Sequence, residues 1–206
     1  WVGDFSRDTY LHHQNAQLDK RRPVLLFGDS FAQCIKEKVN CFEDILNNDT
    51  TFSKDHFLLN YGVGGYGVDQ IYLTFKEATP LYDNPFIVFS LMIKDLDRSI
   101  LSVRTGQKPY FNIDHDSLKL HGVPIKSSPE VFFQKNPPEI TSYIYQLFLN
   151  SEILSKDRLD YLNNVKKIRE QKKQINEKII LATLEELKRQ KLDFVFLIFH
   201  PKGEEN

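Results

Sequence analysis

Little in this sequence is extreme, and each deficit excludes something. The formal net charge is −1, so no field of one sign calls for nucleic acid or for an acidic membrane surface. No apolar run is long enough to span a bilayer, and no signal peptide is visible. The chain opens on Trp1 without a methionine, which reads as a processed or trimmed product. Compartment therefore stays open, bacterial periplasm and cytoplasm both fitting. Cysteine is scarce, with Cys34 and Cys41 alone. If one helix carried both, two turns would hold them roughly 10 Å apart, too far for a disulfide. Two free thiols are expected, although a helix ending near Asn40 would permit pairing. Neither has a His or Cys neighbour at ligand spacing, so no metal is expected. There is no Gly-Lys-Ser/Thr phosphate loop and no standard dinucleotide glycine spacing, so no cofactor is expected.

What is present is an ordinary globular composition, 41% apolar and 27% charged, at a length of 206 residues. That suits one domain, 1–206, with a full core. Apolar runs at 24–27, 57–61, 86–93 and 194–199 read as buried strands. Helical spacing follows the first from about Phe31 to Val39, and the second over Val68–Ala78. Residues 1–22 read as a polar arm, and 43–56 as a polar connection. Residues 104–140 break the alternation. Around Asp114-His115-Asp116 they read as a β-hairpin insertion, followed by a proline-rich extended stretch that could wall a pocket. Residues 141–190 read as mostly helical, with a break near Asn163-Asn164 in view. A continuous helix over 157–190 would be about 50 Å long. That length leaves room for a homodimer contact, but a core-facing stripe is the plainer account.

None of the four strands alternates cleanly, so both faces of the sheet should be covered. The expectation is an α/β fold, a parallel sheet between helical layers with right-handed crossovers. Ligands of such sheets bind at the carboxyl ends of the strands. Those ends carry Gly28-Asp29-Ser30, the glycine-rich Gly62–Gly67, Lys94-Asp95 and His200. Ser30 reads in two ways. It can be a nucleophile whose own N–H helps hold the oxyanion it creates, or a plain helix cap.

Gly28-Asp29-Ser30-Phe31, Asn60-Tyr-Gly-Val-Gly-Gly65 and Lys94-Asp95 follow the first three strands in order. In this order and spacing the sequence resembles the SGNH/GDSL hydrolase family, strongly over about 24–98. Tyr61–Gln70 is typical of one bacterial subset. The resemblance implies a flavodoxin-like sheet of five strands and a shallow site. It implies Ser30 as nucleophile and the Ser30 and Gly65 N–H groups as oxyanion donors. The family's third donor, an Asn before an Asp, is replaced here by Lys94 before Asp95. Asp29, Gly64 and Asp95 are the expected substrate-binding residues. The family's base lies in an Asp-x-x-His near the carboxyl terminus, and no Asp-x-x-His occurs in these residues. Either the chain stops before that block and before the last strand, or the base has been lost. His200 stands at the correct sheet edge as a substitute, with His115 and His121 behind it.

The expected activity is that of a serine esterase or O-acyl transferase. Its substrate would be an acylated small molecule or glycan. The competing expectation keeps the same sheet as a catalytically inactive binding module. An unrelated nucleotide-binding α/β domain ranks last.

Overall fold

A computed structural model of the chain describes residues 19–33, 41–104, 106–137 and 155–200. The expectations for the arm before residue 19, for 141–154 and for Cys34 lie outside these residues. Four strands form one parallel sheet: β1 (Arg22–Gly28), β2 (His56–Gly62), β3 (Phe86–Met92) and β6 (Phe194–Phe199). Their spatial order is β2-β1-β3-β6. That is the order of the first four strands of a flavodoxin-like sheet. A separate antiparallel hairpin joins β4 (Tyr110–Asp114) to β5 (Ser117–His121), as the sequence pattern predicts.

Both faces of the central strands are covered, which explains the unbroken apolar runs. On one face Leu25, Phe27, Leu59, Ile87 and Phe89 pack against α4 (Val68–Ala78) and α7 (Ser155–Arg189) through Ile71, Phe75, Ile175, Ile179 and Leu187. On the other, Val24, Leu26 and Leu58 meet Ala32, Phe42, Leu46 and Phe52. These come from α1 (Ser30–Gln33), α2 (Phe42–Asn48) and α3 (Phe52–Asp55). The result is a three-layer α/β fold.

Several local expectations are corrected. The polar connection at 43–56 contains α2 and α3, because Phe42, Leu46 and Phe52 give each short helix a seat on the sheet. The extended stretch after the hairpin contains α6 (Pro129–Lys135), where Ser128 Oγ accepts from Val131 N at 3.4 Å and Pro129 opens the helix. The long helix runs without a break through Asn163-Asn164. Its second half is the core-facing stripe, with Ile175, Ile179 and Leu187 fully buried, while Ile168 is 51% exposed. Finally, Cys41 is disulfide-bonded, and the sequence holds one other cysteine, Cys34. The expectation of two free thiols assumed one helix carrying both. Cys41 itself stands in extended backbone at φ −73° and ψ 142°, just before α2, so it is not carried on a helix shared with Cys34.

Candidate active site

β1 ends in Gly28 because nothing larger fits. A Cβ there would lie 2.1 Å from Ser90 Oγ and 2.6 Å from Ala32 Cβ. Ser90 Oγ donates to Phe27 O at 2.8 Å, which draws β3 onto the end of β1. The next residue, Asp29, is fully buried. Its Oδ1 accepts from Phe31 N at 2.9 Å and fixes the turn into α1. Ser30 then stands exposed at the carboxyl edge of the sheet.

The glycine loop after β2 runs against this turn. Gly62 and Gly64 allow the approach: a Cβ on Gly62 would lie 2.5 Å from the Ala32 carbonyl carbon, and one on Gly64 would lie 3.8 Å from Ser30 Cβ. Three contacts hold the loop. Asn60 Oδ1 accepts from Gly62 N at 2.8 Å while its Nδ2 donates to Ala32 O at 2.7 Å. Gln33 Oε1 accepts from Gly64 N at 2.7 Å. Arg104, at the start of the insertion, donates from Nη1 to Gly65 O. Gly65 takes φ +85°, a conformation that disfavours any side chain. The N–H groups of Ser30 and Gly65 have no protein partner among the described residues.

Beneath Ser30 lies a buried charge cluster. Arg98, from the short helix α5 (Asp95–Arg98), donates from Nη1 to Asp95 Oδ1 at 2.6 Å and to Tyr66 O at 3.1 Å. The same nitrogen is 3.6 Å from Asp29 Oδ2. Asp95 Oδ2 also accepts from Met92 N at 2.8 Å. One guanidinium thus ties together the ends of β1 and β3 and the loop after β2. Burial pushes the Asp95 carboxyl up to about 7, and the hydrogen-bonded Asp29 carboxylate adds to the rise. Because the folded state then holds this proton more tightly than the unfolded chain does, the stability it contributes is full in acid. That stability is lost as pH climbs toward 7. Asp95→Asn, whose amide can donate to Asp29 as the protonated acid does, is expected to flatten the decline between pH 4.5 and 7.5. The difference in slope should be at most about 1.4 kcal/mol per pH unit, the linkage of one proton. Urea denaturation across that range measures it, and parallel slopes for the two proteins would reject the assignment.

Of the residues expected at the site, the structure brings Ser30, Gly64 and Gly65 together at the surface. Asp29 and Asp95 are also brought together, but below the surface that a substrate would touch. Lys94 is exposed at the end of β3; its carbonyl accepts from Asp97 N at 3.3 Å, while its ammonium makes no hydrogen bond or ion pair with another described residue. His200 is exposed at the end of β6, next to Phe199, whose ring stacks on Phe31 at 5.6 Å. His115 lies in the hairpin turn beside Asp114, with its side chain 97% exposed, and His121 stacks on Tyr110. The hairpin packs on α4 and α7, and the insertion meets the glycine loop through Arg104. Sequence reading missed Arg104 and Gln33. The one available signal was Gln33, three residues beyond Ser30 and so one helical turn away.

Two cavities lie elsewhere. One of about 500 Å³ sits between the hairpin and α4 and α7, and one of about 720 Å³ lies under Arg21, Arg22 and Tyr82 at the opposite edge of the sheet. Neither is lined by Ser30. Among the described residues no group of three or more His, Cys, Asp and Glu is placed to hold a metal ion, and no helix is long and apolar enough to cross a membrane. Comparison with protein-family models, curated proteins and solved structures finds no match.

Proposed function

We propose that this chain is the core of a serine ester hydrolase or O-acyl transferase of the SGNH/GDSL kind. Its substrate is an acylated small molecule or glycan. One observation carries the reading. An exposed serine at the end of the central strand β1 adjoins a glycine loop in which the Gly65 N–H, like that of Ser30, has no partner among the described residues. Unclaimed N–H groups beside a nucleophile are what an acyl-transfer oxyanion requires.

In the reaction, Ser30 Oγ attacks the acyl carbonyl carbon and a C–O bond forms. The carbonyl oxygen takes up the electron pair between the Ser30 and Gly65 N–H groups. When the tetrahedral centre collapses, the bond to the alcohol breaks and the alcohol leaves with the proton that Ser30 gave up. Water or a second alcohol then releases the acyl group by the reverse sequence. A base must carry the proton between these steps. Ser30 Oγ donates to Asp29 Oδ2 at 3.4 Å, too long for a strong hydrogen bond. His200 stands at the same sheet edge, with no hydrogen bond or ion pair to another described residue. The Cys41 disulfide favours an oxidising compartment for this chemistry.

A fluorophosphonate probe tests the reading on the full chain. The expected result is one covalent adduct, located on Ser30 by mass spectrometry and absent from Ser30→Ala. A His200→Ala protein labelled at the parent rate would remove His200 as base. The competing account is the inactive binding module. It is favoured by the contact of Ser30 with Asp29 and by Lys94 in the place of an amide donor. It predicts no adduct at all.

A further inference from the structure

The charges at the rim of the candidate site do not cancel. Asp97 is paired with Lys172 at 2.5 Å and Asp69 with Lys108 at 2.5 Å, while Asp29 and Asp95 both face Arg98. Asp97 and Asp69 thus each have a lysine, and Asp29 and Asp95 share one guanidinium. Two further cations stand outside these pairs. Lys94 is exposed and its ammonium has no partner among the described residues. Arg104 is exposed and donates to the Gly65 carbonyl, a neutral acceptor, and no carboxylate among the described residues pairs with it.

Their positions are set by the order of the sheet. β1 lies between β2 and β3, so Ser30 has the glycine loop on one side and Lys94 on the other. Arg104 sits on the glycine loop, and Lys94 precedes Asp95, whose carboxyl meets that of Asp29. A molecule centred on Ser30 meets a free cation toward either flank.

We infer that Lys94 and Arg104 select esters carrying a carboxylate, so that the substrate class is acidic. This rests on the reading of Ser30 as an acyl-accepting site. Guanidinium and ammonium suit the task differently. Arg104 offers a planar fork to a carboxylate, while Lys94 is a mobile point charge that serves either a carboxylate or the oxyanion. The carboxylate can belong to the alcohol, as in a uronate glycan, or to the acyl group, as in a dicarboxylic half-ester.

Binding measured without turnover separates this inference from the catalytic reading. The probes are trigalacturonate, glutarate and the neutral galactotriose, titrated into the full chain while the Gly64 and Gly65 amide resonances are followed by NMR. One of the two anions is expected to shift both resonances, and galactotriose neither. Trigalacturonate binding assigns the carboxylate to the alcohol, glutarate binding to the acyl group. Lys94→Gln and Arg104→Gln should each weaken binding about fivefold, the scale of one rim ion pair. Salt at about 0.5 M should weaken it similarly. The inference is overturned if galactotriose binds as well as the anions, if neither anion moves these amides, or if Lys94→Gln changes nothing. A Ser30 adduct with no charge preference removes the acidic-substrate inference alone. Anion binding with no adduct removes the esterase reading.

Discussion

Lys108→Met is expected to destabilise the fold by about 3–5 kcal/mol, the usual penalty for leaving a buried charge without its partner. Lys108 is 5% exposed and Asp69 is fully buried at the start of α4. The ammonium reaches Asp69 Oδ2 at 2.5 Å, Leu101 O at 3.0 Å and Arg98 O at 3.2 Å. Methionine fills much of the same space but leaves a carboxylate and two carbonyls without their donor. Burial already pushes Asp69 up to about 6 and Lys108 down from its ordinary value, so desolvation weighs heavily on both. Without the ammonium, Asp69 should rise further. The variant can then relieve itself by taking a proton, and its deficit should shrink as pH falls from 7.5 to 5. Urea denaturation at the two pH values measures both effects. A loss under about 1 kcal/mol at pH 7.5 would mean that water, not Lys108, satisfies Asp69. The pair also anchors the insertion beside the glycine loop, so its loss should loosen Arg104 from Gly65.

The central strands were legible because burial on both faces writes a simple signal, whereas β6, read from its apolar run as equally buried, leaves Val195, Leu197 and Ile198 44%, 42% and 50% exposed. Leu25 and Phe27 point to one helical layer, Val24 and Leu26 to the other, and no polar residue interrupts. Val68–Ala78 was legible through the spacing of Ile71 and Phe75. The helices in 43–56 were not. Asn47-Asn48-Asp49-Thr50 has the composition of a loop, and what holds α2 and α3 is contact with a sheet that local propensity cannot see. Asn47, for one, exchanges hydrogen bonds with the Leu58 backbone at 2.7 and 3.0 Å. At the candidate site the strand ends named the surface residues, Ser30 and the glycines. The supporting charges stayed hidden because each pair is brought together by topology. Asp69 and Lys108 lie 39 positions apart, and Arg98 reaches Asp29 only because β1 and β3 are neighbours. Cys41 shows the same limit, since spacing alone does not reveal that it stands in extended backbone outside any helix.

Gly65→Ala should separate catalysis from stability more sharply than any other single change. At φ +85° an L side chain costs roughly 1–2 kcal/mol. The new Cβ would also lie 2.4 Å from Arg104 Nη1. Arg104 is exposed and can swing aside, so the protein should fold with a modest loss of thermal stability. The turn itself cannot relax without rotating the peptide that presents the Gly65 N–H. If that N–H is an oxyanion donor, kcat should drop about 10²–10³-fold with little change in KM, because the donor acts on charge that appears only in the transition state. Gly64→Ala is the control. Its φ is not in the left-handed region, and the Cβ would meet the flexible Gln33 Oε1 at 2.6 Å. It should lose the Gln33 contact and little of kcat. Steady-state hydrolysis of an activated ester by the three proteins, with thermal melts alongside, distinguishes the cases. If Gly65→Ala lowers the melting temperature but keeps the parent kcat, Gly65 shapes the loop without touching the reaction. The oxyanion must then be held by the Ser30 N–H together with another group, and Lys94, whose ammonium has no partner among the described residues, stands on the other side of Ser30 to supply it.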